Sequence, residues 1–251
     1  NSFFNNCRIS FPSYNQNCLM NKYFDNTLLN KSNSLIKEIY ITRNSETIQN
    51  TFTNLEIKVT SKSNLKVFSS IFTINSECGF QIENSEISFK NCYFCNTQKK
   101  AVVIRKNSSV TFEDCIFDNN TISCEISDHS FVKFISCKFK DGKYISIDIS
   151  NKSKTKIESC LFINNNGKII NSKSSEIYVT NTTFENCDNL VTNACDSSTL
   201  FFKDIKMRTI LKSAICVKEN SRIDASNIDI NNIIGNSFII YNSQGNINNA
   251  N

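Results

Sequence analysis

The sequence predicts an all-β fold, a parallel β-helix (solenoid) with three short strands per 22–23-residue coil. Three observations carry that prediction: a composition suited to strands and tight turns, a repeat of fixed period, and apolar alternation inside each repeat. Among 251 residues there are 34 Ile, 20 Phe and 39 Asn but only 10 Leu, 5 Gly and 1 Pro. Ile and Phe favour strands. Asn tolerates left-handed backbone and takes the place of Gly in turns. Helical spacing of apolar residues over a useful length is absent.

The repeat comes first, because a missed repeat misassigns every element. Eight segments end at Phe72, Phe94, Phe117, Phe139, Phe162, Phe184, Met207 and Ile230, and each begins with Ser. The head residues are Ser63, Ser85, Ser108, Ser130, Ser153, Ser175, Ser198 and Ser221. After each Ser, apolar places alternate, as at Val110 and Phe112. That is a strand with one buried face. The alternation then skips at Asn91, Asp114, Ser136, Ser159, Asn181, Asp204 and Asn227, which predicts a tight bend. A second short strand carries the closing Phe. A second bend follows at Asn96, Asn119, Asp141, Asn164, Asn186 and Asn232. The third strand holds the pairs Phe80/Ile82, Val102/Ile104, Cys124/Ile126 and Ile147/Ile149. Stacked at about 4.8 Å, such coils pile like residues into ladders. A leucine-rich repeat has a similar period but needs Leu at several fixed places, which this chain lacks.

The chain is expected to form one domain. Residues 1–54 read as irregular N-terminal coils with a loop, and 55–251 as regular coils. Solenoid ends expose unpaired strand edges; the chain starts without Met and stops in mid-coil, so its ends are expected either to pair with another copy or to be cuts from a longer chain.

On these motifs the chain resembles the right-handed parallel β-helix superfamily often called pectin-lyase-like. Phe117-Asp118-Asn119-Asn120 and Phe162-Ile163-Asn164-Asn165 also resemble one half of the polymorphic outer-membrane-protein repeat; its glycine-rich half is absent. The resemblance implies a right-handed solenoid and a secreted or cell-surface life, and it implies no activity.

Twelve Cys invite a disulfide reading. Cys92, Cys115, Cys137 and Cys160 hold one place in four consecutive coils. Ladder spacing falls within the Cα range a disulfide tolerates. Either two bonds form, for example Cys92–Cys115 and Cys137–Cys160, or the four stand as reduced buried thiols. Cys7 with Cys18, and Cys187 with Cys195, are short-range candidates. Cys92-x-x-Cys95 stands alone and His129 is the only His, so no zinc site is expected. Sequons occur at Asn30, Asn107, Asn119, Asn151 and Asn181. Those at Asn107 and Asn151 should be exposed, and those at Asn119 and Asn181 should face ladder neighbours. Sequons and many Cys together point to an oxidising, extracellular setting.

The net charge of +5, with signs interspersed, does not favour nucleic acid. No apolar run is long enough to span a bilayer. Polysaccharide cleavage needs converging carboxylates on adjacent coils. The outward rows carry carboxylates singly. Glu125 and Asp148 are stacked neighbours, read as a solvated face without a cationic partner. His129 reads as a turn residue. No catalytic residue, cofactor or metal is expected. The outward row Ile71, Tyr93, Ile116 and Leu161 is apolar, either covered by a loop or the N-terminal segment or a candidate contact patch. The expected function is a non-enzymatic extracellular or cell-surface scaffold, adhesin or filament subunit. Its partners would be further copies joined head-to-tail, other surface proteins or glycans. The alternative is a glycan-binding module or a polysaccharide lyase or hydrolase.

Overall fold

The computed structural model describes residues 78–250 without interruption. Before them it describes the strands Arg8–Ser10, Glu38–Ile41, Ser45–Ile48, Thr51–Thr53, Glu56–Val59, Asn64–Phe68 and Ile71–Thr73, with residues 60, 62, 69 and 70. Cys7, Cys18, Asn30 and Ser63 lie outside the described residues.

The described elements are all strands, and every pairing is parallel and joins one coil to the next. The chain is a right-handed parallel β-solenoid. Head-serine strands such as Ser109–Glu113 form the first face, closing strands such as Ile116–Asp118 the second, and strands such as Ile122–Ile126 the third. Among the described residues the first and second faces belong to one sheet of 16 strands, and the third is a sheet of 11. Strands within residues 1–54 enter the same two sheets, with a register shift between Ser45 and Ile48.

Register turns the sequence repeat into columns. Phe94 pairs with Phe117, Phe117 with Phe139, Phe139 with Phe162 and Phe162 with Phe184. Their rings stack at centroid distances of 4.9, 4.6, 4.6 and 4.9 Å. A second column, Phe89–Phe112–Phe134, stacks at 4.9 and 5.0 Å and meets the first edge-on. Each ring is essentially fully buried, which stabilises by about 1.5–3 kcal/mol per side chain before entropy is counted.

The bends explain the Asn content. Among the described residues thirty other than glycine have positive φ, fourteen of them Asn, and no glycine does. Every skip position and every second-bend position named above is among them. Side-chain amides also link coils along the outer edges, as from Asn119 Nδ2 to Asn96 Oδ1 (2.7 Å) and from Asn227 Nδ2 to Asp204 Oδ1 (2.8 Å).

The head serine has a specific task. Each described one, from Ser85 to Ser221, is buried at the corner between third and first faces, where the ladder is interrupted. Ser108 N donates to Ser130 Oγ (3.3 Å), Ser130 N to Ser153 Oγ (3.2 Å) and Ser198 N to Ser221 Oγ (3.0 Å). A hydroxyl thus accepts a backbone N–H that would otherwise be orphaned in the core.

In the last coils the pairing runs on across the first bend. First and second strands merge into single 12-residue strands, Glu176–Cys187, Thr199–Ile210 and Arg222–Ile233. There the place held by Cys in earlier coils carries Thr182, Ile205 and Ile228, in the register pairs Thr182↔Ile205 and Ile205↔Ile228. The bends persist inside these strands, with positive φ at Asn181, Asp204 and Asn227.

Candidate functional site

Three outward features bear on function: the carboxylates of the third face, the corner along the serine spine, and an aromatic pair on the first face.

On the third face Glu125 stacks on Asp148. The expectation that Glu125 lacks a cation is corrected. Its carboxylate meets Lys100 Nζ at 2.5 Å and Arg105 Nη2 at 2.5 Å. Both cations come from the preceding coil, in line with the ends of the strand rather than with its centre. Burial opposes ionisation of Glu125, but the hydrogen bonds and charges of Lys100 and Arg105 outweigh it and hold the carboxyl below its usual range. Asp148 accepts from Asn171 Nδ2 (2.8 Å), and Asn171 Oδ1 accepts from Asn193 Nδ2 (2.9 Å).

The same pairing recurs elsewhere. Glu113 meets Lys90 (2.7 Å), Glu83 meets Lys106 (2.6 Å) and Asp118 meets Lys140 (2.8 Å). Glu176 meets Lys154 (3.0 Å) and also accepts from the Tyr178 hydroxyl. Asp118 and Glu176 are held low as Glu125 is, with burial outweighed by their hydrogen-bond donors. A general acid at neutral pH needs the opposite displacement.

Among the described residues one group could bring three metal-ligand atoms together: Cys195, Asp196 and Glu219. Lys173 lies 3.1 Å from Asp196 and Lys218 lies 3.6 Å from Glu219, so ammonium groups already neutralise the site.

Shallow polar recesses follow the serine spine. One is lined by Asn84, Glu86, Asn107 and Ser109, another by Lys152, Lys154, Ser174 and Glu176, and a third by Asn220 and Arg222 with Gln244. They form an open corner rather than an enclosed pocket. Beside the second, Tyr178 and Phe201 stack outward at 4.6 Å, and Lys154 Nζ lies 4.5 Å from the tyrosine ring centre. This pair was legible as neighbouring places in one outward row, but nothing in the sequence singled it out.

The predicted patch is in register: Ile71 pairs with Tyr93 and Tyr93 with Ile116. Lys138 then separates Ile116 from Leu161. Ile71 is 43% exposed, and Tyr93 gives its hydroxyl to Asp118. Sequon residues Asn107 and Asn151 are exposed, the latter donating to Asp128 Oδ1 (2.9 Å). Asn119 is bonded to Asn96, and Asn181 donates to Ser159 Oγ (3.1 Å). His129 sits exposed at a left-handed turn. No disulfide joins any of the ten described cysteines. Cys92, Cys115, Cys137 and Cys160 stand as buried thiols, so of the two readings the structure holds the reduced one. Cys187 and Cys195 are not brought together: Cys187 is fully buried at the second bend, whereas Cys195 lies half-buried on the third strand.

A family model described as the right handed beta helix region matches residues 1–131. No curated protein matches the chain. Among solved structures, ORF18 of Geobacillus virus E2 superposes with a TM-score of 0.58 at 11% identity, over 87% of this chain and 55% of that one. The enzymatically active domain of tailspike protein 2 from bacteriophage CBA120 gives 0.39 at 10% identity, over 84% of this chain and 42% of that one. The catalytic domain of Agl-KA gives 0.39 at 11% identity, over 84% and 61%. The chain therefore spans 42–61% of the length of these structures. At such identities the likeness concerns fold alone.

Proposed function

The chain belongs to the right-handed β-helix family, and we propose that within it this solenoid is a non-enzymatic structural rod, a scaffold or filament subunit. The observation that carries the reading is the state of the outward carboxylates. Glu83, Glu113, Asp118, Glu125 and Glu176 each face a cation, and the shifts found for Asp118, Glu125 and Glu176 are downward. Hydrolysis needs one carboxylic acid that stays protonated opposite a second carboxylate across the bond to be cleaved. Head-to-tail association is the assembly proposed, because a parallel ladder grows by adding the next in-register strand. The test pairs negative-stain electron microscopy with a reducing-sugar and unsaturated-product assay on acidic and neutral polysaccharides. Rods or filaments without turnover support the reading; turnover abolished by Glu125→Gln would overturn it.

A glycan-binding module is the second reading, favoured by the Tyr178–Phe201 pair beside the polar recess at Lys152 and Ser174. Retention on immobilised oligosaccharide, lost in Phe201→Ala, would mark it.

A further inference from the structure

The thiol column, like the serine spine, is tied to backbone carbonyls by side-chain hydrogen bonds. Its place carries Ser70 in the coil before Cys92 and Thr182 in the coil after Cys160. In all six coils the side chain donates to the carbonyl two residues back. Ser70 Oγ reaches Phe68 O at 2.9 Å and Thr182 Oγ1 reaches Thr180 O at 2.9 Å. Between them Cys92, Cys115, Cys137 and Cys160 reach Lys90, Glu113, Ile135 and Glu158 O at 3.4, 3.3, 3.4 and 3.3 Å. Each sulfur also lies against a carbonyl of the coil before, at 3.6, 3.5, 3.5 and 3.7 Å from the oxygens of Val67, Phe89, Phe112 and Phe134. In these six coils Cys acts as Ser and Thr do, whereas Ile205 and Ile228 fill the place in the two coils that follow. A disulfide sulfur carries no hydrogen. Bridging two neighbours would take the hydrogen from both carbonyl contacts, within a column only 0–3% exposed.

We propose that winding of this solenoid is gated by redox state: it proceeds while Cys92, Cys115, Cys137 and Cys160 are thiols, and prior oxidation of neighbouring pairs blocks it. The oxidant is a small disulfide such as glutathione disulfide. One cysteine thiolate attacks it, forming a mixed disulfide and releasing one glutathione thiolate. The second cysteine thiolate attacks the mixed disulfide and releases the other. Two S–H bonds and one S–S bond give way to one new S–S bond and two glutathione thiols, so protons and electrons balance. In the unfolded chain the thiols are open to this exchange; in the wound coil burial removes them from it. On this account the cysteine count no longer argues for an oxidising compartment, and only the sequons point outward.

The test refolds the full chain from guanidinium in reduced glutathione or in excess glutathione disulfide. Far-UV circular dichroism reads the folded fraction, and alkylation with peptide mapping reads the disulfides. The expected result is full recovery in the reduced buffer, with the four thiols alkylated only after denaturation, and loss of most of the folded yield in the oxidised one. A variant carrying Cys92→Ser, Cys115→Ser, Cys137→Ser and Cys160→Ser should keep substantially more of its yield in the oxidised buffer. If wild type refolds equally in both, or folded rods contain Cys92–Cys115 or Cys137–Cys160 bonds, the proposal is overturned. It is equally overturned if the serine variant, folded in the reduced buffer, loses as much as wild type in the oxidised one. Should that variant not fold at all, the wild-type mapping still decides.

Discussion

Truncating Phe117 to Ala probes the stacked core at its centre. The ring is 1% exposed, lies 4.9 Å from Phe94 and 4.6 Å from Phe139 on either side, and meets Phe112 edge-on at 5.3 Å. Large-to-small changes of a buried Phe cost about 3–5 kcal/mol, and the upper half is expected where the site cannot collapse. Collapse is resisted here because backbone ladders hold the coils at fixed spacing above and below. Aromatic pairing adds roughly 0.5–1.5 kcal/mol per contact, part of which is already inside the truncation figure. The expected loss is therefore about 4 kcal/mol, read as a lower urea midpoint by circular dichroism. Tyr144, 62% exposed at a corner, is the matched control, and its truncation should stay within about 0.5 kcal/mol. A Phe117→Ala loss below about 1 kcal/mol would refute the column, because even a lone buried ring costs more than that.

Thr155 stands between Val132 and Ile177 in an inward column, and its buried hydroxyl lacks a hydrogen-bond partner. Thr155→Val should raise stability by about 1 kcal/mol, and a lower urea midpoint would count against that placement. A Cβ on Gly167 would come within 2.0 Å of the Tyr144 carbonyl oxygen, whereas one on Gly142 would meet a side-chain oxygen of Asn165 at 2.5 Å. Gly167→Ala should therefore lower the thermal midpoint more than Gly142→Ala, since backbone yields less than a side chain; the reverse order would refute the corner packing. Acid should loosen the rod. Asp118, Glu125 and Glu176 titrate lower in the folded chain, so their contribution is complete above the unfolded carboxylate range, about pH 4, and is lost as pH falls through the folded values. Glu125→Gln should flatten the fall of the urea midpoint below about pH 5; an unchanged slope would contradict the Lys100–Glu125–Arg105 cluster.

The fold was legible because each coil repeats its own instructions. Period, alternation and bend residues all announce the same winding, and Asn91 or Asp114 marks a left-handed bend without any homologue to compare. What stayed hidden depends on directions that a one-dimensional row does not hold. Lys100 and Arg105 reach Glu125 across the coil interface and along the strand, so a reading restricted to one row leaves the carboxylate bare. The reduced state of the Cys column rests on where each sulfhydryl points, which spacing alone leaves open. The pairing across the bend after Glu176 also stayed hidden, because the bend residues Asn181 and Asp204 keep the same left-handed backbone as Asn91 and Asp114. Tyr178 and Phe201 were adjacent in a row and became a feature only as stacked rings with Lys154 over one face.

The most direct measurement is a density map at side-chain resolution, by crystallography or cryo-electron microscopy. The account predicts that Phe94, Phe117, Phe139 and Phe162 lie in one file, with neighbouring rings 4.6–4.9 Å apart. Rings dispersed over different faces, or strands from successive repeats that do not pair in parallel, would contradict it.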